Sequence, residues 1–484
     1  MVIMKELKSK NMLKIHFIGI CGIGMSGLAQ MFSWLGHTVS GSDRAIDNSE
    51  NKELISKLKK QNIDVFPQNG SFMQSKLQPD FIVYSTAIED DNPDFKVSKH
   101  ITKWHRSEAL AWIEKKLSSK TSVAVTGSCG KTTVTAMIGE ILTVLNEDPI
   151  VLNGGKINNF SNELYYGNFK PGCGNYFIYE ADESDKSLRI FKPDVSVITN
   201  IGTDHYSKEE LIDVFNVFLN NTKKQSIINS EIADLMKTED GKIKITSVSI
   251  TPKNKSIKKN DHNYILNNYK ITKNRPWATV DIQNNKIDFE LPTFGKFNAE
   301  NSLFAIAAVQ ELLNEKSIKE IITALSQFKG THRRLEYKGK TKTDTMVFDD
   351  YAHNVEKIIS SITALHEITD NKIITIFQPH GFGPLNFMKD KLFEELENIL
   401  DHKDLFVMMP VYYAGGTTSF QPTSKEVIES YKLKSKIPES YAAYDSRDEA
   451  KEKILNMSKE NDIIVFMGAR DGSLSIWASE FVDF

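Results

Sequence analysis

The chain has 484 residues, of which 40% are hydrophobic and 25% charged, and its formal net charge is −3. This length exceeds what one ordinary hydrophobic core organises, so several domains are expected. The nearly balanced charge argues against a general nucleic-acid binder, and no apolar run is long enough for a signal peptide or a membrane span. Three scattered cysteines (Cys21, Cys129 and Cys173) form neither a disulfide framework nor a zinc pattern, which indicates reduced thiols in a cytoplasmic protein.

The first predicted domain covers residues 1–118. It opens with an apolar strand, a glycine turn and a helical pattern in KIHFIGICGIGMSGLAQMFSWLG, and HTVSGSD and DFIVYSTAI are typical of further strands. Because strands alternate with helices, a mostly parallel sheet is expected. A short polar joint near Ser118 ends this segment.

The second predicted domain covers residues 119–329 and repeats the same opening, strand then glycine loop then helix, in SVAVTGSCGKTTVTAMIGEILTVL. NYFIYEADESD and DVSVITNIGTDH are two more predicted strands that end in acidic or imidazole residues. The stretch 236–289, rich in Lys and Asn, is expected to form peripheral hairpins. FNAENSLFAIAAVQELL has the pattern of an amphipathic helix.

The third predicted domain covers residues 330–484 and begins around FKGTHRRLEY. Four apolar runs, TMVFDDYAH, KIITIFQPH, DLFVMMPVYY and DIIVFMGA, are predicted strands separated by helical stretches. This alternation again favours an α/β arrangement with a largely parallel sheet.

The strongest functional motif is a phosphate loop between a predicted strand and a predicted helix. Its glycines let backbone N–H groups face an anion, and the helix N-terminus adds partial positive charge. Lys131 can reach the β- and γ-phosphates of a nucleotide, while the Thr132 hydroxyl can ligate Mg²⁺. Val125 stands at the first glycine of the general pattern, and a glycine-rich turn with an exposed lysine is the alternative. The predicted loop residues are Gly127, Ser128, Cys129, Gly130, Lys131, Thr132 and Thr133.

Acidic residues follow the next strand, in Glu180–Asp185, and Asp204-His205 follows the strand after it. The carboxyl ends of parallel strands face the crevice in which α/β sheets bind ligands. A hard cation between phosphate oxygens can therefore use Thr132, Glu180 and His205. An acidic helix start and an ordinary surface histidine are the alternatives.

The motifs TGSCGKTT, EADESD, TNIGTDH, PTFGKFNAENSL, RRLE and FDDYAH have the order and spacing of the Mur ligases, which the chain resembles over nearly its whole length. IHFIGICGIGMSGLA and GSD resemble the alanine-adding branch. The resemblance implies an α/β fold of three domains: Rossmann-like for a UDP-sugar, a central P-loop ATPase domain with a mostly parallel sheet, and a C-terminal Rossmann-like domain.

The resemblance also implies an ATP- and Mg²⁺-dependent ligase of peptidoglycan precursor synthesis, a cytoplasmic monomer or homodimer. It would activate the carboxylate of UDP-N-acetylmuramate as an acyl phosphate and join it to an amino acid, with L-alanine preferred. Asn298 and Asn301 match adenine-binding residues, Arg334 a phosphate-binding arginine and Asp350 a residue near the ribose. The implied catalytic residues are Lys131, Glu180, His205 and His353. The implied substrate-binding residues are Gly22, Gly24, Met25, Ser26, Asp43, Ser85, Thr86, Tyr351 and His380.

Several positions depart from the family pattern. Phe297 and Cys129 each replace a usual histidine. Gly381 and Pro384 stand where the alanine-adding branch has arginines that hold the carboxylate of the amino acid, and neither can form a charged clamp. Arg189 and Arg470 are other candidates, although a solvated face is the expected role of each. The amine therefore stays open between L-alanine, another amine and a ready-made peptide, as used in cell-wall recycling.

Two other functional classes compete with a ligase. Gly22, Gly24 and Gly27 after a strand, with Asp43 further on, satisfy the fingerprint of a dinucleotide-dependent oxidoreductase, but that fingerprint explains neither GKTT nor EADESD. A non-catalytic relative that binds nucleotide is the second alternative. Lys131, Glu180 and His205 argue against it.

Overall fold

The structure is a computed structural model, and it describes residues 12–75, 78–183, 187–202, 208–233, 235–236, 243–250, 264–272, 275–413 and 420–482. The chain divides into two compact units. The first unit comprises the chain up to Thr331 except two short stretches. The second comprises His332–Phe484 with those stretches, Lys270–Arg275 and Phe294–Lys296.

The first sheet of the first unit has five strands in the order β3-β2-β1-β4-β5, all parallel. This order is that of a doubly wound fold: β2 and β3 are added on one side of β1, and β4 and β5 on the other. The elements are β1 (Lys14–Ile18), α1 (Ile23–Trp34), β2 (Thr38–Asp43), α2 (Lys52–Lys60), β3 (Asp64–Pro67), β4 (Phe81–Tyr84), α3 (Pro93–Val97), β5 (Thr102–His105) and α4 (Arg106–Lys116).

The second sheet has ten strands in the order β15-β14-β13-β12-β11-β10-β6-β9-β7-β8, with a parallel centre. Its strands are β6 (Thr121–Thr126), β7 (Ile150–Leu152), β8 (Phe169–Lys170), β9 (Tyr176–Glu180), β10 (Val195–Ile198), β11 (Gln225–Asn229), β12 (Lys244–Ser249), β13 (Tyr264–Thr272), β14 (Arg275–Ile282) and β15 (Asn285–Glu290). Its helices are α5 (Lys131–Val144), α6 (Lys208–Asn221), α7 (Ser230–Ala233), α8 (Lys296–Leu312) and α9 (Ile318–Leu325).

The second unit is built on a six-stranded sheet in the order β16-β17-β21-β18-β19-β20, in which only β16 runs antiparallel to its neighbour. The strands are β16 (Glu336–Lys340), β17 (Met346–Asp350), β18 (Ile373–Gln378), β19 (Leu405–Met408), β20 (Tyr441–Ala443) and β21 (Ile463–Gly468). The helices are α10 (Val355–His366), α11 (Phe382–Ile399), α12 (Ser424–Lys432), α13 (Arg447–Met457) and α14 (Ser473–Val482). Every helix in the described part of the chain is too short or too polar to span a bilayer.

The two sheets of the first unit share one hydrophobic core across helix α1. Gly27 on this helix lies so close to the second domain that an added Cβ would stand 3.0 Å from Leu152 Cδ1. The buried Asn168 side chain donates to the Ile23 carbonyl at 2.6 Å and to Ser26 Oγ at 2.9 Å. The third glycine of the GxGxxG pattern therefore permits close contact between domains.

The predicted fold class, an α/β protein of three domains with mostly parallel sheets, is confirmed. The domain limits at residues 118 and 329 stay predictions. The stretch 236–289 differs from the hairpins expected: β12 pairs in parallel with β11 and β13, and thereby widens the central sheet. A hairpin does join β14 to β15. Gln283 and Asn284 turn its corner with φ angles of 52° and 67°, as a two-residue turn requires.

His16 is a fully buried histidine on β1. Its ring stacks on Phe72 with 3.8 Å between centroids, and its nitrogens lie 2.9 Å from Ser40 Oγ and 3.2 Å from Ser42 Oγ. Because burial penalises the charged imidazolium, the pKa of His16 falls from 6.5 to about 3. The neutral ring is therefore part of the core of the first sheet.

This environment predicts an acid-sensitive contribution to stability. Below pH 6.5 the unfolded chain takes up a proton that folded His16 refuses until about pH 3, so stability falls as the pH drops through that window. Between pH 8 and pH 5 the wild type should lose on the order of 2 kcal/mol more unfolding free energy than His16→Gln. Urea unfolding at both pH values measures this difference. The exposed His100→Gln serves as the control, and an equal pH dependence in wild type and His16→Gln would contradict the prediction.

Candidate functional site

The phosphate loop lies between β6 and α5, as the sequence predicted. Gly130, with φ of 86°, precedes the helix, and Gly127 has φ of 132°, a conformation that residues with a Cβ rarely adopt. Lys131 begins the helix, and its Nζ donates to the Gly127 carbonyl at 2.6 Å and to Glu183 Oε2 at 2.7 Å. The loop therefore folds back over the lysine ammonium.

The segment after β10 holds this loop in place. Asn200 Oδ1 accepts from the Cys129 N–H at 2.7 Å, and Thr199 Oγ1 donates to the Cys129 carbonyl at 2.7 Å. The Gly202 N–H donates to Ser128 Oγ at 2.6 Å. The sequence analysis quoted the motif TNIGTDH but gave its first two residues, Thr199 and Asn200, no role, although their place at a strand end beside the loop strand was a usable signal. These contacts fix the loop before any ligand enters.

Charges around Lys131 favour its protonated form. Burial opposes the charge, but the carboxylates of Glu183, Glu180 and Asp182 outweigh burial and raise the pKa of Lys131. For Glu183, burial raises the pKa of the carboxyl group, and the neighbouring Lys131 ammonium offsets part of that rise. Of the two partners, Lys131 is the one that stays charged, because three nearby carboxylates stabilise its ammonium whereas burial disfavours the charged form of Glu183.

Glu180, at the end of β9, lies against a turn that the sequence analysis did not single out. The Gly154 N–H donates to Glu180 Oε2 at 2.9 Å, and an added Cβ on Gly154 would stand 2.6 Å from both carboxylate oxygens. Asn153 Nδ2 donates to the Thr132 carbonyl at 3.1 Å, and a Cβ on Gly155 would stand 2.7 Å from Thr132 Cγ2. Glu180 and Thr132 therefore both contact the turn 153–155. Two consecutive glycines after a short strand were the available signal.

Asn298 and Asn301, the predicted adenine-binding pair, lie on α8 and are buried. Asn301 Nδ2 donates to Asn298 Oδ1 at 3.2 Å. A Cβ on Gly130 would stand 2.3 Å from Asn301 Oδ1, so this helix packs directly against the phosphate loop. Phe297, which replaces the usual histidine, precedes this pair on the same helix.

A cleft of about 80 Å³ opens between the first and second domains of the first unit. Gly24, Asn153, Glu180 and Asp182 are among its lining residues, and Arg106 pairs with Asp182 across it at 2.6 Å. Arg106 begins α4 in the first domain, whereas Asp182 belongs to the EADESD motif, so the ion pair joins the two domains at the site. No motif in the sequence pointed to Arg106.

The predicted sugar-nucleotide residues of the first domain lie at the carboxyl ends of β1, β2 and β4. Gly22 caps α1, and Gly24 lines the cleft, while Met25 and Ser26 point into the core. The Asp43 carboxylate accepts from the N–H groups of Cys21 and Ala45, both at 2.9 Å, and thereby shapes the turn. Ser85 is half-buried and Thr86 exposed.

Comparison with known proteins identifies the family. Three family models match the chain: "Mur ligase family, catalytic domain" at residues 14–116, "Mur ligase middle domain" at 125–309 and "Mur ligase, glutamate ligase domain" at 333–470. A UDP-N-acetylmuramate–L-alanine ligase of Fusobacterium nucleatum is 32% identical over 98% of this chain and 97% of its own length. The chain belongs to the Mur ligase family.

Other relatives also match this chain over nearly its whole length. A UDP-N-acetylmuramate–L-alanine ligase of Aquifex aeolicus is 31% identical over 97% of both chains. The crystal structure of a UDP-N-acetylmuramate–alanine ligase from Thermotoga maritima has a TM-score of 0.76 and 27% identity, and it covers 97% of this chain and 98% of its own. A murein peptide ligase from Psychrobacter arcticus shares the fold, with a TM-score of 0.63 and 23% identity over 97% and 98%.

Mur ligases are ATP-dependent, and the chain is an enzyme of this ligase class. Family membership rules out the oxidoreductase alternative, since GxGxxG belongs here to a Mur ligase domain. It also argues against the non-catalytic alternative.

In the second unit, several of the predicted Mur ligase residues lie at the carboxyl ends of adjacent strands. Asp350 is buried at the end of β17; burial raises the pKa of its carboxyl group, although a Ser361 hydroxyl bond opposes the rise. The Tyr351 carbonyl lies 2.8 Å from His353 Nδ1, and the His353 and His380 rings are 5.3 Å apart. Burial lowers the pKa of His353 to about 4.

Arg334, the predicted phosphate-binding residue, lies over the Tyr351 ring at 5.5 Å. Its neighbour Arg333 is buried and donates to Asp349 Oδ1 at 3.2 Å and to the Gly468 carbonyl at 2.7 Å, so it serves the fold of this unit. His205, the predicted metal ligand and catalytic residue, lies outside the described residues.

The close fit of Gly154 against Glu180 predicts the effect of one added methyl group. Gly154→Ala should displace the carboxylate and lower ATP-dependent product formation at least about tenfold, because small errors in the position of a charged group are costly in a preorganised site. Phosphate release and product mass measure the loss.

A double-mutant cycle supplies the control. If Gly154→Ala acts through Glu180, it should change little in a Glu180→Gln background. Equal additional losses in the wild-type and Glu180→Gln backgrounds would show that the methyl group acts elsewhere.

Proposed function

We propose that this Mur ligase joins the carboxylate of UDP-N-acetylmuramate to an amino acid, L-alanine by preference, in peptidoglycan precursor synthesis. The relatives that match nearly the whole chain carry the name UDP-N-acetylmuramate–L-alanine ligase, which supports this substrate pair. ATP would transfer its terminal phosphoryl group to the sugar carboxylate. The incoming amine would then displace phosphate from that acyl phosphate, forming an amide bond.

The observation that carries the proposal is the charged Lys131 within a preformed phosphate loop. Phosphoryl transfer needs positioning and charge neutralisation more than covalent help from protein. Lys131 Nζ has a 2.7 Å ion pair with Glu183, and its pKa is raised, so it is a cation at neutral pH. We propose that a terminal phosphate takes over from Glu183 as the partner of Lys131 and that the loop N–H groups bind the remaining oxygens.

The residues around Glu180 fit a hard cation such as Mg²⁺. The Glu180 carboxylate and Thr132 both contact the turn 153–155, and carboxylate and hydroxyl oxygens suit Mg²⁺ as donors. Asn153 Oδ1 is buried and has no hydrogen-bond partner, which leaves one more oxygen donor beside Thr132. We propose Thr132 and Glu180 as ligands, with His205 as a third from the sequence. The ion would screen charge between the phosphates and the acid.

His353 and His380 are proposed to face the incoming amine. Burial keeps the His353 ring neutral, so the ring can accept a hydrogen bond from the amine and orient its nitrogen for attack. Tyr351, Asp350 and Arg334 keep the roles that the Mur ligase motifs imply, beside amine, ribose and phosphate respectively. A panel of amino acids and short peptides, tested with UDP-N-acetylmuramate and ATP, identifies the amine by product mass.

Removing the lysine charge tests the proposed nucleotide site. Lys131→Ala should lower amide product formation at least about a hundredfold, the scale for losing one preorganised group that stabilises developing charge. Phosphate release and product mass measure it. Lys224→Ala removes the same charge from an exposed position, where Nζ lies 3.4 Å from Asp194, and should leave turnover nearly unchanged. Turnover near the wild-type level in a folded Lys131→Ala protein would refute this role.

Neutralising Glu180 tests the proposed metal ligand. Glu180→Gln keeps the size of the side chain but weakens an oxygen donor, so half-maximal activity should need at least about tenfold more Mg²⁺. Titration of Mg²⁺ at saturating ATP gives this value. Glu163→Gln, at an exposed position, is the matched control. An unchanged metal titration would remove Glu180 from the proposed site.

A further inference from the structure

The amine side of the second unit lacks the arginines expected in its sequence motif. Gly381, with φ of 95°, precedes α11, and Pro384 lies in the first turn of that helix. A Cβ on Gly383 would contact nothing within 4 Å, so the start of this helix is open on that side. The partial positive charge of the helix N-terminus remains, but a carboxylate there needs a full positive charge to replace the absent clamp.

Arg470 is placed by sheet register to supply that charge. Strands β18 and β21 pair in parallel, with Gln378 opposite Gly468. His380 and Arg470 each lie two residues beyond these paired positions, so both lie at the same edge of the sheet, on neighbouring loops. Strand β17 on the other side of β21 places His353 at this edge as well, with its ring 5.3 Å from that of His380.

The electrostatics of His380 agree with this placement. Burial lowers the pKa of His380, and the positive charge of Arg470 lowers it further. The guanidinium is therefore close enough to act on the ring. Arg470 is an exposed residue whose backbone adopts the left-handed region at φ of 66°, a conformation that side chains with a Cβ rarely take.

The other guanidinium groups at this edge already have partners. Arg447 donates to Asp471 Oδ2 at 2.7 Å and to Gln378 Oε1 at 3.1 Å, which commits it to holding the sheet edge. Arg333 is buried against Asp349 and two carbonyls. Arg334 stacks over Tyr351. Among the described residues, no hydrogen bond or ion pair of the Arg470 guanidinium is found.

We infer that Arg470 binds the carboxylate of the incoming amino acid, replacing the arginines absent at positions 381 and 384. This inference rests on the proposed function and adds the residue that recognises the amine. A guanidinium forms two parallel hydrogen bonds with a carboxylate, so it distinguishes an amino acid from its uncharged amide. The amine substrate is accordingly one that carries a free carboxylate near its reacting nitrogen.

The test compares L-alanine with L-alaninamide in the full-length enzyme. Arg470→Gly suits the left-handed backbone, so it removes the guanidinium without adding strain. KM for L-alanine should rise about tenfold to a hundredfold, the range for losing a charge-assisted hydrogen bond, while KM for ATP stays within about twofold. Discrimination against L-alaninamide should largely disappear. Arg470→Lys should recover part of it.

A second measurement reports on placement without turnover. In Arg470→Gly the pKa of His380, followed by NMR, should rise relative to the wild type, because one neighbouring positive charge is gone. Arg334→Ala is the comparison at the same edge and should alter KM for ATP instead. The inference is overturned if Arg470→Gly leaves KM for L-alanine unchanged, or if Arg334→Ala raises it instead. A wild-type enzyme that makes no amide with L-alanine or any other amine overturns the proposed function and the inference together.

Discussion

A lysine ammonium that is largely withdrawn from water must have anionic or carbonyl partners, and the proposed nucleotide site is organised around this requirement. Glu183 and the Gly127 carbonyl neutralise Lys131, and Glu180 and Asp182 add negative potential around it. Each of these acidic groups has its own anchor: Gly154 holds Glu180, and Arg106 holds Asp182. The charge balance of one lysine thus links the phosphate loop, the acidic strand end and the first domain.

Much of this could be predicted because the signals are local. The strand, glycine loop and helix around Lys131 are contiguous, so sequence pattern alone locates them. The longer apolar strands of the three sheets were predicted in the same way. The residues that support them were not predicted. Thr199, Asn200, Asn153 and Arg106 each act through a partner distant in sequence, and a hydrogen bond between distant segments leaves no periodicity to find. Strands β3, β5, β7, β8, β11, β16 and β20 were not predicted. Six of them lie at a sheet edge or are only two or three residues long, whereas β11 is a buried internal strand with two apolar residues, Ile227 and Ile228.

In the second unit, the positions of the predicted amine-side residues follow from the strands, whereas the side chains on the loops depart from the family motif. Its strand ends still bring Tyr351, His353 and His380 to one edge, because the parallel register of β17, β21 and β18 fixes their positions. The side chains on the following loops are under weaker structural constraint. Glycine and proline at 381 and 384 leave the helix intact, since Gly381 accepts a positive φ and proline is tolerated in a first helical turn. Position 470, on the neighbouring loop, is free to carry an arginine.

The hydrophobic core shared by the first two sheets has consequences for thermal unfolding and for cleavage of the chain between the two domains. Leu28 and Phe32 on α1 belong to the same apolar cluster as Leu152 and Phe169 of the next domain. Cutting the chain between these domains and separating the fragments would expose apolar surface on both of them. The buried Asn168 amide would also lose its hydrogen-bond partners, the Ile23 carbonyl and Ser26 Oγ. Neither fragment should stay dissolved by itself. In the intact chain, the first two domains should unfold in a single thermal transition. Replacing either domain with that of a distant relative would also require redesign of the apolar interface between them.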